Sequence, residues 1–392
     1  MPGMRRWIAA VAALALGVGS VVAAVLEVRD RTVPHRVLPS PTLPTTALVS
    51  PAPSATRQTS QSVTTPKRAT VYSYYYLWWT NKHWHDKLGT AYPYGTVPIP
   101  GTTDAQGCNP KVFYSAAQIV DVPSEGLYDQ AQSSTFTRHI RLAAGAGLKG
   151  FLASWQGTGS ASQGPQSSGY NSRLNLLVSA VDSYNRSHGT TFGLGLAYEA
   201  FGNYNRPAAD VIADLRYFYR EYGSDPAFRN SYSSKPIVMW LDSRKFSGQT
   251  IQAVSAALKR YVYLLGDETA KSWLIDGRNF DGTGYYWSSQ DPWNNPRSGS
   301  AVAQLAAEVH AAGKKWFAPF VAGYNKQLLG DVCVQRRGLL TLQQLWRING
   351  ASHPDGWFAI SWNEFVENTY LEPSKRFGAT YLNAVSALIK AG

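Results

Sequence analysis

The sequence predicts an α/β fold, a (β/α)8 barrel of the TIM type, over residues 70–392 of a 392-residue chain. Apolar and aromatic runs of strand length recur along this region, and segments of helical period lie between most of them. There are eight such runs, the number of strands in a TIM barrel. No glycine-rich phosphate loop follows the first run, so the alternative of a doubly wound open sheet is less favoured.

The predicted strands are residues 70–78, 150–155, 191–199, 235–241, 272–276, 283–287, 315–322 and 356–362. Apolar residues three and four positions apart predict helices between them. One such face consists of Val211, Ile212, Leu215, Phe218, Tyr219 and Tyr222. One interval departs from the pattern. Only residues 277–282 separate the fifth and sixth predicted strands, which is too short for a helix.

The first thirty residues read as a targeting segment. Arg5 and Arg6 precede an uncharged run, residues 7–26, about as long as a bilayer span, so residues 1–30 are predicted to be a signal peptide or a signal anchor. Residues 31–69 are rich in Pro, Ser and Thr and predict a disordered spacer. We therefore expect an extracytoplasmic protein, anchored to the membrane by its N-terminal helix or secreted.

Composition narrows the choice of partners. The formal net charge is +12, but about half of it lies in residues 1–69, and no Lys/Arg block is interleaved with aromatics, so no nucleic-acid partner is expected. The only cysteines, Cys108 and Cys333, are expected to pair in an exported protein. The histidine cluster at residues 83–86 lacks metal-ligand spacing, so no metal or cofactor is predicted. A monomer is expected, with membrane contact through the N-terminal segment only.

Two glutamates mark the end of the last predicted strand. Glu364 and Glu367 follow the apolar run 356–362, with Trp362 and Asn363 beside them. Cleavage of a glycosidic bond needs two carboxyl groups, because one donates a proton while the other carries negative charge or accepts a proton. The alternative is a strand passing into a loop, where glutamates are commonly solvated.

The other predicted strand ends carry aromatic, amide and charged side chains. Barrel enzymes place their chemistry at these ends. Sugars present apolar faces and hydroxyl groups, so their sites combine aromatic rings with carboxylates and amides. The predicted substrate-binding residues are Trp78, Trp79, His83, Trp84, His85, Trp155, Tyr198, Glu199, Arg206, Asp242, Tyr324, Asn325, Trp362 and Asn363. The fifth predicted strand ends at Asp276.

Residues 70–392 resemble glycoside hydrolase family 99, the endo-α-mannosidases, and their relatives. The most specific part is the C-terminal block that includes SWNEFVENTYLEP, and HWH, GFLASW, YEAFGNYNR and KPIVMWLDS also match. The resemblance implies a (β/α)8 barrel with Glu367 as general acid/base. It implies that Glu364 assists attack by the substrate's own 2-hydroxyl, with net retention. Phe365 stands where the family has Trp, and Asn368 where it has Gly.

The resemblance and the residues together predict an exported, endo-acting, retaining α-glycosidase that cleaves α-mannosidic bonds in a mannan or a surface glycan. One alternative is the same chemistry on an α-glucan, since the block also resembles family 71 α-1,3-glucanases. Another is a carbohydrate-binding barrel without turnover. The intact pair of glutamates favours an enzyme.

Overall fold

The computed structural model describes residues 68–89, 92, 108, 119–158, 167–199, 204–326 and 332–392. The predicted N-terminal targeting segment and nearly all of the predicted spacer lie outside these residues, so both stay predictions. Within the described part of the chain, no helix has both the length and the apolar character needed to cross a membrane.

Eight parallel strands close into a barrel, which confirms the predicted fold class. The strands of the described residues are β1 (Val71–Tyr75), β2 (Gly150–Trp155), β3 (Gly193–Tyr198), β4 (Ile237–Trp240), β5 (Tyr263–Gly266), β6 (Gly282–Thr283), β7 (Lys315–Val321), β8 (Tyr324–Asn325), β9 (Cys333–Val334) and β10 (Gly356–Ile360). The barrel order is β1-β10-β7-β6-β5-β4-β3-β2, and β8 and β9 form a separate antiparallel hairpin.

Helices connect most of the barrel strands and cover the outside of the barrel. Those in the described residues are α1 (Asn81–Leu88), α2 (Ser133–Gly145), α3 (Ser167–His188), α4 (Ala208–Tyr222), α5 (Gly248–Leu258), α6 (Ala270–Asp276), α7 (Ser298–Ala311), α8 (Leu340–Gly350) and α9 (Thr380–Ala391). The predicted face of α4 is buried at Val211, Leu215, Phe218 and Tyr222, as expected for an amphipathic helix on a sheet, whereas Ile212 is half-buried and Tyr219 is 37% exposed.

The fifth predicted strand is wrong. Residues 272–276 lie in α6, and the fifth barrel strand is β5, one element earlier in the chain. A capping box starts α6: the Thr269 side chain accepts a hydrogen bond from the Ser272 N–H, and the Ser272 side chain accepts one from the Thr269 N–H. The short interval at residues 277–282 therefore follows a helix and not a strand. That helix, α6, separates β5 from β6.

The burial of α6 explains the error. Trp273 is buried, but Leu274 and Ile275 are 72% and 63% exposed, so this apolar run does not mark a strand inside the core. Five residues are too few to separate a period of 2.0 from one of 3.6. The prediction that Asp276 ends a barrel strand is wrong for the same reason, because Asp276 ends α6.

Side chains alternate between the inside and the outside of the barrel along each strand. In β1, Tyr72 and Tyr74 pack in the interior cluster with residues such as Met239 and Phe358. Val71 and Tyr75 pack in the outer cluster, between sheet and helices. This alternation decides which strand-end residues reach the mouth of the barrel.

Candidate active site

The turn after β10 places Glu364 and Glu367 at the C-terminal mouth of the barrel. Glu364 Oε1 accepts hydrogen bonds from the backbone N–H of Val366 at 2.6 Å and of Glu367 at 3.2 Å. The Glu364 N–H donates to Ser361 Oγ at 2.8 Å. The Glu364 carboxyl group thus folds back onto its own turn, and the turn fixes it beside Glu367.

The environment of Glu364 favours its protonated form. Burial, and then the charge of Glu367, raise the pKa of Glu364 to about 8, although the two backbone N–H groups and Lys326 oppose this rise. The charge of Glu367 therefore acts directly on the proton affinity of Glu364. Such a pair supplies an acid and a base in one place near neutral pH.

Glu367 is held by two groups from other elements. The Tyr286 hydroxyl donates to Glu367 Oε2 at 3.3 Å, and Lys326 Nζ lies 3.3 Å from Glu367 Oε1. The Tyr286 hydroxyl is in turn 2.6 Å from the hydroxyl of Tyr76, which follows β1. Segments after β1, β6, β8 and β10 therefore meet at this carboxylate.

A third carboxyl group, Glu199, follows β3 and faces the same mouth. Ser154 Oγ donates to Glu199 Oε1 at 2.5 Å. Burial raises the pKa of Glu199 to about 7; the Ser154 hydrogen bond opposes this, and the charges of Glu367 and Asp242 add to it. Perturbed carboxyl groups gathered at one barrel mouth are typical of an active site.

An aromatic stack lies beside the carboxyl groups. The Trp78 ring stacks on Tyr76, with ring centroids 4.4 Å apart, and on His83 of α1 at 5.9 Å. Burial, and then the charge of Lys87, lower the pKa of His83 to about 4, so this histidine is neutral at physiological pH. His85 lies on the exposed side of α1.

Two of the predicted tryptophans pack beneath this stack. Trp79 and Trp84 are fully buried, stack on each other at 3.8 Å and contact Phe365 edge-on. Phe365, where the resembling family has Trp, therefore fills a small aromatic core under the turn that carries Glu364 and Glu367.

Four other predicted residues lie behind the sheet instead of at its mouth. Trp155 and Trp362 belong to the outer cluster between strands and helices. The Tyr198 hydroxyl contacts Asp214 and Arg206, and Arg206 pairs with Asp214 of α4. The strand alternation turns Trp155 and Tyr198 outward, whereas Trp362 and Arg206 lie beyond the ends of β10 and β3. All four are buried behind the sheet and support the fold.

The two predicted asparagines hold the backbone around the site, Asn363 through its side chain and Asn325 through its backbone. Asn363 Oδ1 accepts the Tyr76 N–H at 2.8 Å, and Asn363 Nδ2 donates to the Tyr76 carbonyl at 3.0 Å. The Asn325 N–H donates to the Glu367 carbonyl at 2.8 Å, and Asn368 Nδ2 donates to the Asn325 carbonyl at 2.6 Å. Asn363 joins β10 to β1, and Asn325 joins β8 to the turn that carries Glu364 and Glu367.

Asn368 explains one departure from the family pattern. Its φ of 57° lies in the left-handed region, where glycine is favoured and asparagine is among the better-tolerated other residues. Its side chain also accepts the Val120 N–H at 3.3 Å. Asparagine therefore keeps the turn that a glycine would form and adds side-chain hydrogen bonds.

Asp242 and Tyr324 sit at the edges of this mouth. Asp242 follows β4 and accepts hydrogen bonds from Tyr204 at 2.8 Å and Lys245 at 2.9 Å, so its carboxylate contacts protein groups. Tyr324 is buried in β8, where it pairs with Val334 of β9.

Several residues that shape the site were not predicted from the sequence. Tyr286 contacts both Tyr76 and Glu367, and Lys326 contacts Glu367 directly. Asp267 follows the real β5, and its Oδ1 accepts the Tyr286 N–H at 2.9 Å. Tyr76 had a signal, because it continues the alternation of Tyr72 and Tyr74.

The predicted disulfide is confirmed. Cys108 and Cys333 are bonded, with Cα atoms 5.8 Å apart, and they are 225 positions apart in the sequence. Among the described residues, no group of three or more His, Cys, Asp or Glu side chains is arranged to hold a metal ion.

Solved structures resemble this fold. A family 99 endo-α-mannosidase from Bacteroides thetaiotaomicron, in complex with BIS-TRIS-propane, matches with TM-score 0.62 at 18% identity, covering 82% of this chain and 97% of that chain. A second structure, again of a family 99 endo-α-mannosidase from that organism, gives TM-score 0.60 at 18% identity over 82% and 96%. A glycoside hydrolase-like protein gives 0.57 at 15% identity over 84% and 96%.

This chain has a family 99-like fold. The match covers almost the whole length of those chains. Sequence identities this low support a shared fold and nothing further. No protein-family model matches the sequence, and no curated protein matches it either.

Proposed function

We propose that this protein is an exported, endo-acting, retaining α-glycosidase that hydrolyses α-mannosidic bonds in a mannan or a mannose-bearing surface glycan. The observation that carries the proposal is the placement of Glu364 and Glu367 side by side on one short turn at the mouth of a family 99-like barrel. The endo-α-mannosidase structures support the choice of substrate class.

The geometry suits participation of the substrate's 2-hydroxyl. An enzymic nucleophile and its acid partner usually approach a glycosidic bond from two sides, whereas these two carboxyl groups come from one turn. This step needs Glu364 as the carboxylate and Glu367 with the proton. Because the charge of Glu367 is one cause of the raised pKa of Glu364, a proton on Glu367 removes that cause. Glu364 then takes the proton from the 2-hydroxyl while the oxygen attacks C1, and Glu367 protonates the leaving oxygen. The hydroxyl is an internal nucleophile and gains from its fixed position.

The second half-reaction restores the enzyme. Glu367, now a carboxylate, takes a proton from water, and the water oxygen attacks C1 of the 1,2-anhydro sugar. The C1–O2 bond breaks, and Glu364 returns its proton to O2. The two inversions at C1 give net retention, and Tyr286 and Lys326 hold Glu367 in place for both steps.

A panel of α-linked polysaccharides tests the reaction and its substrate. We expect α-mannan oligosaccharides to be cleaved internally with retention, and an α-1,3-glucan to be left intact. If only the glucan were cleaved, the protein would instead be an α-glucanase with the same mechanism. Binding of mannan without products, in a protein whose Glu364 and Glu367 are intact, would indicate a carbohydrate-binding barrel.

A 2-deoxy substrate tests the mechanism separately. An oligosaccharide without the 2-hydroxyl at the cleaved residue is expected to bind and to remain uncleaved, because it lacks the internal nucleophile. Efficient hydrolysis of that compound, or a sugar trapped covalently on an Asp or Glu, would overturn 2-hydroxyl participation.

A further inference from the structure

The residue after β8 brings a positive charge to the carboxyl pair. Lys326 Nζ contacts Glu367 Oε1 at 3.3 Å, while the Tyr286 hydroxyl contacts Oε2 at 3.3 Å. The two oxygens thus have partners on different elements, which fixes the plane of the carboxylate. The Lys326 charge also lowers the pKa of Glu364, against the larger effects of burial and of Glu367.

The backbone next to Lys326 is attached to the catalytic turn. Asn325 donates its N–H to the Glu367 carbonyl at 2.8 Å and accepts a hydrogen bond from Asn368 at 2.6 Å. The Lys326 N–H donates to the Val332 carbonyl at 3.5 Å, across the hairpin. Movement of the hairpin would therefore move the ammonium group relative to Glu367.

The disulfide is bonded to the same hairpin. Cys333 pairs with Asn325 in the β8–β9 register and is linked to Cys108, in the long connection after β1. A two-stranded ribbon of this length has little stability by itself. The covalent link therefore supplies a fixed point directly across from the residue that precedes Lys326.

We propose that Lys326 is a positioning residue for Glu367, and that the Cys108–Cys333 disulfide holds Lys326 in that place. The inference rests on the proposed function of the carboxyl pair. Its consequence is an enzyme that is fully active only when these cysteines are oxidised.

Several other charged or titratable groups face this pair. Glu199 after β3 acts on Glu367, as do Tyr76 and Tyr286, while Lys87 of α1 faces both Glu364 and Lys326. The carboxyl groups outnumber the nearby cations. Removal of the Lys326 charge is therefore expected to strengthen proton binding by Glu364.

Four proteins test the proposal by hydrolysis: the wild type, Lys326→Met, the double variant Cys108→Ser/Cys333→Ser, and the triple variant. Misplacement of a catalytic group by about 1 Å can cost on the order of 10²-fold in rate. We expect kcat to fall by about 10²-fold in Lys326→Met, by about 10-fold in the double variant, and no further in the triple variant than in Lys326→Met. KM should change little.

The controls separate positioning from folding. Lys271→Met removes an exposed lysine of α6, and its kcat is expected to match the wild type. Lys326→Arg keeps the charge and should recover part of the activity. Each protein is assayed below the onset of its own thermal unfolding, because loss of the disulfide lowers stability.

A titration without substrate completes the test. The side-chain carboxyl ¹³C signal of Glu364, assigned by its loss in Glu364→Gln, should titrate at higher pH in Lys326→Met than in the wild type. If the midpoint rises but the wild type hydrolyses no glycan, the proposed function fails and the role of Lys326 remains. An active wild type with unchanged kcat and midpoint in Lys326→Met would overturn the inference. A triple variant with fully additive losses would overturn the role of the disulfide.

Discussion

Neighbouring residues at the strand ends of this barrel have opposite environments. Tyr198 points outward and contacts Arg206 and Asp214, whereas Glu199, the next residue, points inward and lies near Glu367. The outward polar groups are paired with one another behind the sheet. The inward carboxyl groups face one another, and burial raises the pKa of Glu199 to about 7 and of Glu364 to about 8.

The direction in which a strand-end side chain points therefore indicates its role. Outward side chains stabilise the fold, and inward side chains line the proposed active site. An outward side chain adds packing and stability, and an inward one at the mouth holds charge that the fold does not fully compensate. Active sites commonly lower the stability of their fold for this reason. Substitutions on the two sides should therefore affect different measurements.

The largest expected effect is on the inward side. Glu367→Gln removes the proposed proton donor with little change in size, so hydrolysis of an unactivated substrate should fall by about 10²–10⁴-fold. Substrate binding and urea-induced unfolding should stay near wild type. Glu221→Gln, at an exposed position of α4, is the matched control, and its rate should be normal. A wild-type rate in Glu367→Gln would exclude Glu367 as the acid.

On the outward side, Trp155→Ala should reduce stability instead of catalysis. Trp155 is fully buried and packs on Tyr217 and Phe218 of α4. Its truncation is expected to lower the free energy of unfolding by about 3–5 kcal/mol, measured in urea, with a smaller loss in Trp155→Phe. The kcat/KM of the folded fraction should stay within a few-fold. Normal stability with a large rise in KM would instead place Trp155 against the substrate.

The pH dependence of stability gives a third comparison. Glu364 has a pKa of about 8 in the folded protein, above its ordinary value of 4.5, so it keeps a proton on folding that the unfolded chain has lost. The stabilisation that this proton gives to the folded state is therefore fully present below about pH 4.5 and is lost as the pH rises toward 8. Over that range the free energy of unfolding falls by at most about 1.4 kcal/mol per pH unit.

Glu364→Gln should remove that slope. The free energy of unfolding of Glu364→Gln minus that of the wild type is expected to increase between about pH 5 and about pH 8, measured by urea titration at several pH values. Glu221→Gln should show no such trend. A difference that is constant with pH would contradict the raised pKa.

The smallest expected effect distinguishes the two histidines of α1. His83 stacks on Trp78, so His83→Ala should lower kcat/KM by about 3–10-fold through loss of that aromatic contact. His85 is exposed, and His85→Ala should leave kcat/KM unchanged. Equal losses in both variants would show that the exposed side of α1 also contacts the substrate.

Much of the fold could be predicted because strand-length apolar runs and helical periods are local properties. The prediction failed at residues 272–276, where a short apolar run belongs to a capped helix with two exposed members. Glu364 and Glu367 could be located from their place after the last strand. Their partners could not, because Tyr286 and Lys326 reach Glu367 only through the closure of the barrel and the hairpin.

The direction of the strand-end side chains, into or out of the barrel, could be predicted from the sequence for some strands. Once Tyr72, Tyr74 and Tyr76 are recognised as one face, the two-residue period assigns the rest of β1. In β2 and β3 the runs are apolar on both faces, as expected for buried parallel strands. The two-residue period therefore does not show which face points into the barrel. Trp155 and Tyr198 were therefore assigned by position alone.

Closure of the barrel between β1 and β10 has a consequence for how the protein folds. Tyr72 is paired in register with Phe358, and Ser73 Oγ donates to the Ala359 carbonyl across 286 positions of sequence. Contacts this distant form slowly, because a long loop must close before they contribute. Both carboxyl groups follow β10 directly, so a chain that has collapsed without joining its first and last strands holds no complete site. After denaturation, the rate at which hydrolysis returns would thus report when those strands join. The rate at which helix content returns would not.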